Sequence, residues 1–264
     1  MFTAVFQDGG KELKKIVGIL KEEFKDDDAV LIAKKDGIYL QSMDKAHVAL
    51  IDLHLSADAA SNYICDDIHY LGINFETWNN VFKSKSSKGV CTLSYKDTQP
   101  NTMQCVFQDN KKKSTFQLKL RAINDSEQNE LVTNEFKYAT DIILNSDDLS
   151  EILHDIAIVA DDVVITRTAK RLCFHGVGDS ANGKIEMEVD DGFVGQLSGI
   201  FSLKYLQWFA KASILCPEAV LSFDDEHPLC LQFKNDTVTL KFFVAGKADE
   251  HGTNRMDLDD DENA

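Results

Sequence analysis

A helical stripe followed by an alternating β-branched run occurs twice in this chain, about half a chain length apart, and that duplication constrains the fold more than any single motif. In the first copy Leu13, Ile16, Val17, Leu20 and Phe24 recur at helical spacing, and Ala29 to Leu40 then alternates around the turn signal Lys35-Asp36-Gly37. In the second, Leu149, Ile152, Leu153 and Ile156 mark one face of a helix over 146–159, with Asn145 or Ser146 as its cap. Asp161 to Thr166 and Leu172 to Phe174 repeat the hairpin. A further helix-then-strand pair recurs as well: residues 75–85 lead into Gly89 to Ser94, and residues 201–212 lead into Ala219 to Phe223. Two similar α+β halves are expected, 1–121 and 135–248. The polar, aperiodic run at 122–134 connects them, and an acidic tail occupies 249–264.

Charge narrows the partners. Lys and Arg number 28 against 44 Asp and Glu, a net charge of −16, so the surface as a whole repels nucleic acid and any such contact must come from a local patch. The first helix carries one: Lys11, Lys14, Lys15, Lys21 and Lys25 lie opposite its apolar stripe, with Glu22 the one acid among them. The opening Met1 to Phe6 turns polar too soon for a secretory leader, and Cys65, Cys91, Cys105, Cys173, Cys216 and Cys230 are scattered singly. A reducing compartment is expected, with the cysteines as small buried hydrophobes. No run of about 18 apolar residues is present, and no membrane partner is expected.

Three motifs that imitate chemistry resolve into plainer features. Gly178 to Lys184 matches most of a phosphate loop, but Ile185 stands where Ser or Thr must bind Mg²⁺, and Ile185, Met187 and Val189 alternate with Glu186, Glu188 and Asp190 as in a strand. A hairpin turn fits better. Cys65 and His69 with Asp66 and Asp67 form at most half a metal site, and no second cluster with ligand spacing completes it. Lys111 to Lys113 is short for a localisation signal and reads as a solvated strand entry. No catalytic residue, metal ligand or cofactor is assigned, and an enzyme has no chemistry to stand on.

Two strands carry complementary edges. Over 113–121, Lys113, Gln117, Lys119 and Arg121 share one face and Phe116, Leu118 and Leu120 the other. Over 184–190, Lys184, Glu186, Glu188 and Asp190 share one face and Ile185, Met187 and Val189 the other. Such edges on one molecule can pair head to tail, in a contact that closes into a ring or runs on as a filament.

Gln41-Ser42-Met43-Asp44-Lys45-Ala46-His47-Val48-Ala49-Leu50 closely resembles the signature segment of the proliferating cell nuclear antigen family, the eukaryotic DNA sliding clamps. Tyr63 to Asp66, Leu71 to Asn74, Gly178 to Ile185 and the run from Phe201 to Ala212 resemble further stretches of that family, in order from Met1 to about Lys247. The resemblance implies two similar clamp domains per chain in a ring of three, helices lining a hole threaded by duplex DNA and antiparallel sheets outside. It selects ring closure through Phe116, Leu118, Ile185 and Met187. It implies a nuclear protein without enzymatic activity that tethers DNA polymerase and other replication and repair proteins, with a clamp loader as a further partner. Acids on the rim need not cancel lysines in the hole, because salt screens charge over about 8 Å.

Carried over by position, the resemblance turns Lys14, Lys15, Lys21, Lys83, Lys204 and Lys211 toward DNA. It places Met43, His47, Val48, Leu50, Leu131, Pro228, Phe243, Val244 and Ala245 around a pocket for short peptides with aromatic ends. Departures from the pattern fall at Glu151, His154 and Asp155, where the family is basic, and at Asn80, which replaces a lysine. Gly246 replaces a common proline and Asn129 an apolar connector residue. Weaker phosphate contact from the second half is expected. Three other readings share parts of this pattern: a clamp subunit that assembles with non-identical partners, a monomeric processivity factor of the same fold, and a nucleotide-binding enzyme using Gly178 to Lys184.

Overall fold

The computed structural model describes residues 1–21, 28–85, 88–124, 136–189 and 191–248. The first half runs β1 (Phe2–Phe6), α1 (Lys11–Leu20), β2 (Asp28–Lys34), β3 (Gly37–Met43), β4 (Ala49–Ser56), β5 (Asn62–Cys65), β6 (His69–Asn74), α2 (Phe75–Lys83), β7 (Val90–Tyr95), β8 (Thr102–Gln108) and β9 (Lys113–Lys119). The second runs β10 (Thr140–Asn145), α3 (Ser146–Ala157), β11 (Asp162–Thr168), β12 (Arg171–Val177), β13 (Asn182–Glu188), β14 (Gln196–Ser202), α4 (Leu203–Ala210), β15 (Glu218–Phe223), β16 (Leu229–Lys234) and β17 (Val238–Val244). Among the described residues no helix is long and apolar enough to cross a membrane.

Every pairing between these strands is antiparallel. The sheets order as β5-β1-β7-β8-β9, as β13-β12-β11-β14, and as an eight-stranded β10-β15-β16-β17-β4-β3-β2-β6 that spans both halves. The duplication read in the sequence is therefore present in the topology. In each half four strands between the first and second helices form one sheet (β4-β3-β2-β6 or β13-β12-β11-β14), and the first strand joins those that follow the second helix (β1-β7-β8-β9 or β10-β15-β16-β17), with β5 of the first half added beside β1. By that correspondence β17 matches β9 and β4 matches β13. The β4·β17 joint, from Val238 opposite Leu55 to Val244 opposite Ala49, fuses the halves.

The helices pair within their halves, α1 with α2 and α3 with α4. Their apolar stripes bury: Leu13, Ile16, Val17 and Leu20 of α1, and Leu149, Ile152, Leu153 and Ile156 of α3, belong to one core running through both halves. Phe24 and Lys25 lie outside the described residues. The expected helix over 201–212 is shorter than its pattern, because Phe201 pairs with Val163 in β14 and α4 starts only at Leu203. The cap of α3 is Asn145, whose Oδ1 accepts from the amides of Asp147 (2.9 Å) and Asp148 (3.1 Å). Asn74 caps α2 in the same way through Thr77 at 3.0 Å. Ser202, before α4, makes no such bond.

These caps satisfy amides that the first helical turn leaves without partners. Asn145→Ala and Asn74→Ala should each lower unfolding free energy by about 1 kcal/mol in urea titrations. Ser202→Ala should cost measurably less.

Candidate functional site

Of the six lysines expected to face DNA, Lys83, Lys204 and Lys211 are exposed, whereas Lys14, Lys15 and Lys21 are half-buried. Lys14 Nζ donates to the Lys85 carbonyl at 3.0 Å, just beyond α2, and Lys15 Nζ donates to the Ile214 carbonyl, at the end of the 3₁₀ turn that follows α4. Carbonyls at helix ends lack intrahelical donors and carry negative partial charge, so a lysine is well matched to both. Lys14 and Lys15 thus tie α1 to its neighbours as well as supplying charge. Lys15 does so across the two halves.

Lys204 and Lys211 line a groove of about 720 Å³ between α3 and α4, together with His154, Gln207, Asp162 and Lys247. The ammonium of Lys247 is held by Asp162 at 2.6 and 2.7 Å. Trp208 is buried at the groove floor, and its indole N–H donates to the Ile19 carbonyl at 2.9 Å. On α3 the exposed positions are Asp147, Asp148, Glu151, His154 and Asp155. The α3 residues that line the groove are Ser150, His154 and Ala157, so the exposed acids of this helix lie outside it.

Several of the residues expected to receive peptides lie near the end of the β4·β17 joint. Phe243 stands opposite Leu50 in register, and the Ala245 amide donates to the Val48 carbonyl at 2.9 Å. Met43 and His47 are exposed beside them. Val244 departs from expectation: strand alternation turns it to the opposite face, where it is fully buried in the core. Leu131 and Asn129 lie outside the described residues.

Pattern reading missed an aromatic wall. Phe136 meets Phe243, His227 and Tyr138 with ring centroids 5.9, 5.1 and 6.3 Å apart, and the Tyr138 hydroxyl donates to the Pro228 carbonyl at 2.8 Å. His227 in turn contacts Asp224 at 2.9 Å. The signal available in sequence was the pair Phe136 and Tyr138 emerging straight after a polar connector. Nothing in their spacing placed them against residues 90 positions away.

The loop bearing Met43, His47 and Val48 is organised by Asp44. Its Oδ1 accepts from the amides of Val48 (2.7 Å) and Ala49 (2.8 Å), and its Oδ2 accepts from the Tyr205 hydroxyl (2.6 Å) on α4. Burial alone would raise the Asp44 pKa, but the Ala49 amide, the Tyr205 hydroxyl and the Val48 amide outweigh it and hold the carboxyl below its ordinary value. The same balance, set by the His227 ring and the amides of Glu226 and His227 against burial, depresses Asp224.

The two proposed assembly edges are both free edges of their sheets. Phe116, Ile185 and Met187 are half-buried. Leu118 is not: at 3% exposure its side chain already lies in the chain's own core, opposite Met103, and has little more to bury. Gly178 to Lys184 forms the turn and first residues of the β12–β13 hairpin, closed by Gly178 N–H donating to Ala181 O at 3.1 Å. A strand, not a helix, follows it. A Cβ on Gly178 would lie 1.7 Å from the Val159 carbonyl, which explains glycine there without a phosphate. Asp97 joins Asp66 and His69 in a cluster that spacing could not reveal, with the Met1 ammonium against it, 3.0 Å from Asp97 and 3.2 Å from His69 Nε2. Cys65 is not a member. Its thiol donates to the Asp67 carbonyl.

Two similar α+β halves, fused through a shared antiparallel sheet and carrying four α-helices among the described residues, define the class: a two-domain sliding clamp. The model of the proliferating cell nuclear antigen N-terminal domain matches residues 1–129, and that of the C-terminal domain matches 133–248. Proliferating cell nuclear antigen 1 of Plasmodium falciparum (isolate K1 / Thailand) is 29% identical over 266 residues, covering 92% of this chain and 96% of the relative. Proliferating cell nuclear antigen of Chaetomium thermophilum is 29% identical over 249 residues, covering 89% and 94%. The chain belongs to the proliferating cell nuclear antigen family.

A depressed carboxyl pKa contributes stability that is complete above the unfolded value and is lost as pH falls through the folded one. The Asp44 and Asp224 loops should hold their form through neutral pH and loosen only below the ordinary 3.8. Carboxyl-carbon NMR titration should place both midpoints under 3.8, and a midpoint above it for either residue would contradict its donor set.

Proposed function

We propose that this chain is a non-enzymatic sliding clamp that closes as a homotrimer around duplex DNA in the nucleus and tethers DNA polymerase and other proteins to it. The observation that carries the reading is the relation between the chain's internal joint and its free edges. The joint pairs β17 with β4. Their counterparts in the other half, β9 and β13, are each a sheet edge, and they carry matching apolar faces. Pairing β9 of one copy with β13 of the next repeats between chains the contact already made within one. Such a contact is heterologous and must close or polymerise, and family membership favours closure at three. Because the two edges complement each other on a single chain, assembly of identical copies fits better than assembly with different ones.

Phe116, Ile185 and Met187 supply the apolar contact, with Lys113 and Lys119 of β9 facing Glu186 and Glu188 of β13. Burying such side chains contributes about 1.5–3 kcal/mol each, against an association cost of about 4–15 kcal/mol. Gross burial of these three side chains is no more than comparable with that cost, so the assembly is expected to come apart on dilution. Hold on DNA is then topological, and phosphate contact stays weak enough for sliding. Lys83, Lys204 and Lys211 are the exposed cations of the DNA face, with Lys14, Lys15 and Lys21 behind them. Met43, His47, Val48, Leu50, Pro228, Phe243 and Ala245, joined by Phe136, Tyr138 and His227, receive the aromatic ends of partner peptides. Aromatic anchors in an apolar pocket with a polar rim are the usual source of affinity in such contacts.

Light scattering should give three chains per particle, dissociating on dilution, and Phe116→Ala or Ile185→Asp should give single chains. The assembled ring should stay on closed circular DNA and leave the same DNA once it is linearised; equal retention on both would overturn the topological reading. Lys204→Glu with Lys211→Glu should reduce DNA-dependent polymerase stimulation severalfold, whereas His154→Lys should preserve or raise it.

A further inference from the structure

Asp44 is 7% exposed, and a buried carboxylate is tolerated only when donors meet its oxygens. One oxygen is served by its own turn, through the amides of Val48 and Ala49. The other is served from the opposite half of the molecule, by the Tyr205 hydroxyl on α4. Around this carboxylate the turn closes further: Asp44 N–H donates to Ala49 O at 2.9 Å, and His47 N–H donates to Asp44 O at 3.0 Å. The turn holds His47 at φ 55°, a left-handed conformation that a non-glycine residue keeps only where its surroundings enforce it. His47 Nδ1 thereby lies 3.0 Å from Met43 Sδ. The strained residue and its neighbour are two of the side chains offered to partners.

We propose that Tyr205 is a positioning residue for partner binding: its hydroxyl, through Asp44, holds the turn at 44–49 in the form that presents Met43, His47 and Val48. The role rests on the partner-site reading given above. Without the hydroxyl, one oxygen of a buried carboxylate loses a donor. The carboxylate then rotates toward water or admits it, and either movement weakens its grip on the Val48 and Ala49 amides. Relaxation of His47 out of the left-handed region follows, since the turn no longer enforces it. The Tyr205 ring has supports of its own, with the Lys204 ammonium 5.1 Å from its centroid and the Phe209 ring at 6.5 Å. Tyr205→Phe therefore removes the donor and leaves the packing.

The test uses the full-length assembled protein, amide hydrogen exchange, and titration with a fluorescent peptide ending in two aromatic residues. Tyr205→Phe should speed exchange at Val48 and Ala49 about tenfold, leave Leu240 and Phe242 in β17 unchanged, and weaken peptide binding about tenfold. Met43→Lys tests the partner site itself. If Met43→Lys abolishes binding while Tyr205→Phe alters neither local exchange nor affinity, the site stands and the positioning role is overturned. If Met43→Lys leaves affinity unchanged, the partner-site reading fails and takes the positioning role with it. Faster exchange throughout β17 in Tyr205→Phe would mark a general stabilising contribution and would also overturn the proposal.

Discussion

The pairing of β4 with β17 runs through seven residue pairs and turns two four-stranded arrays into one sheet. Nearly everything else in the molecule is placed by it. It brings Phe243 opposite Leu50, so that one wall of the candidate peptide pocket comes from each half. It lets Glu12 of α1 accept from Asn235 (3.1 Å) and Thr237 (3.0 Å) in the turn before β17, and lets Trp208 of α4 reach the Ile19 carbonyl of α1. Antiparallel strands with interlocking apolar faces tolerate no one-residue slip, because a slip would turn Phe242 and Leu240 out of the core. The register of the joint is thus fixed, and a fixed internal pairing is one that free edges can repeat.

The polar contacts across the halves have a common form. Asp44, Glu12 and the carbonyls of Ile19 and Ile214 all sit in one half and are satisfied by side chains of the other, or the reverse. Apolar burial sets the strength of the interface between halves, and the buried bonds at Asp44 and at the Ile19 carbonyl set its geometry, since a buried acceptor costs free energy unless its particular donor arrives. Helix α4 contributes to it through Tyr205 and Trp208.

Much of this was legible in residue order. The helical stripes at 13–20 and 149–156 are buried as read, and the hairpin at 29–40 forms with Lys35 and Asp36 at its tip. The strand that follows Gly178 removes the phosphate-loop reading on the ground already visible in Ile185, Met187 and Val189. The less legible features are those that depend on which neighbour a residue meets. Leu118 and Phe116 alternate identically in sequence, yet one is sealed in the core and the other lies at the rim. Val244 and Phe243 are adjacent apolar residues on one strand, and only the pleat sends one into the core cluster and the other against the Phe136 ring.

Periodicity, charge pattern and duplication are properties of the chain taken locally, and they were enough to determine two α+β halves, a cationic first helix and two complementary strand edges. Proximity between distant segments is not a local property. That Tyr205 would meet Asp44 across 161 positions, that Phe136 and His227 would share a wall, and that Lys15 would end on the Ile214 carbonyl depended on how the two halves dock, and docking is chosen by the whole buried surface at once.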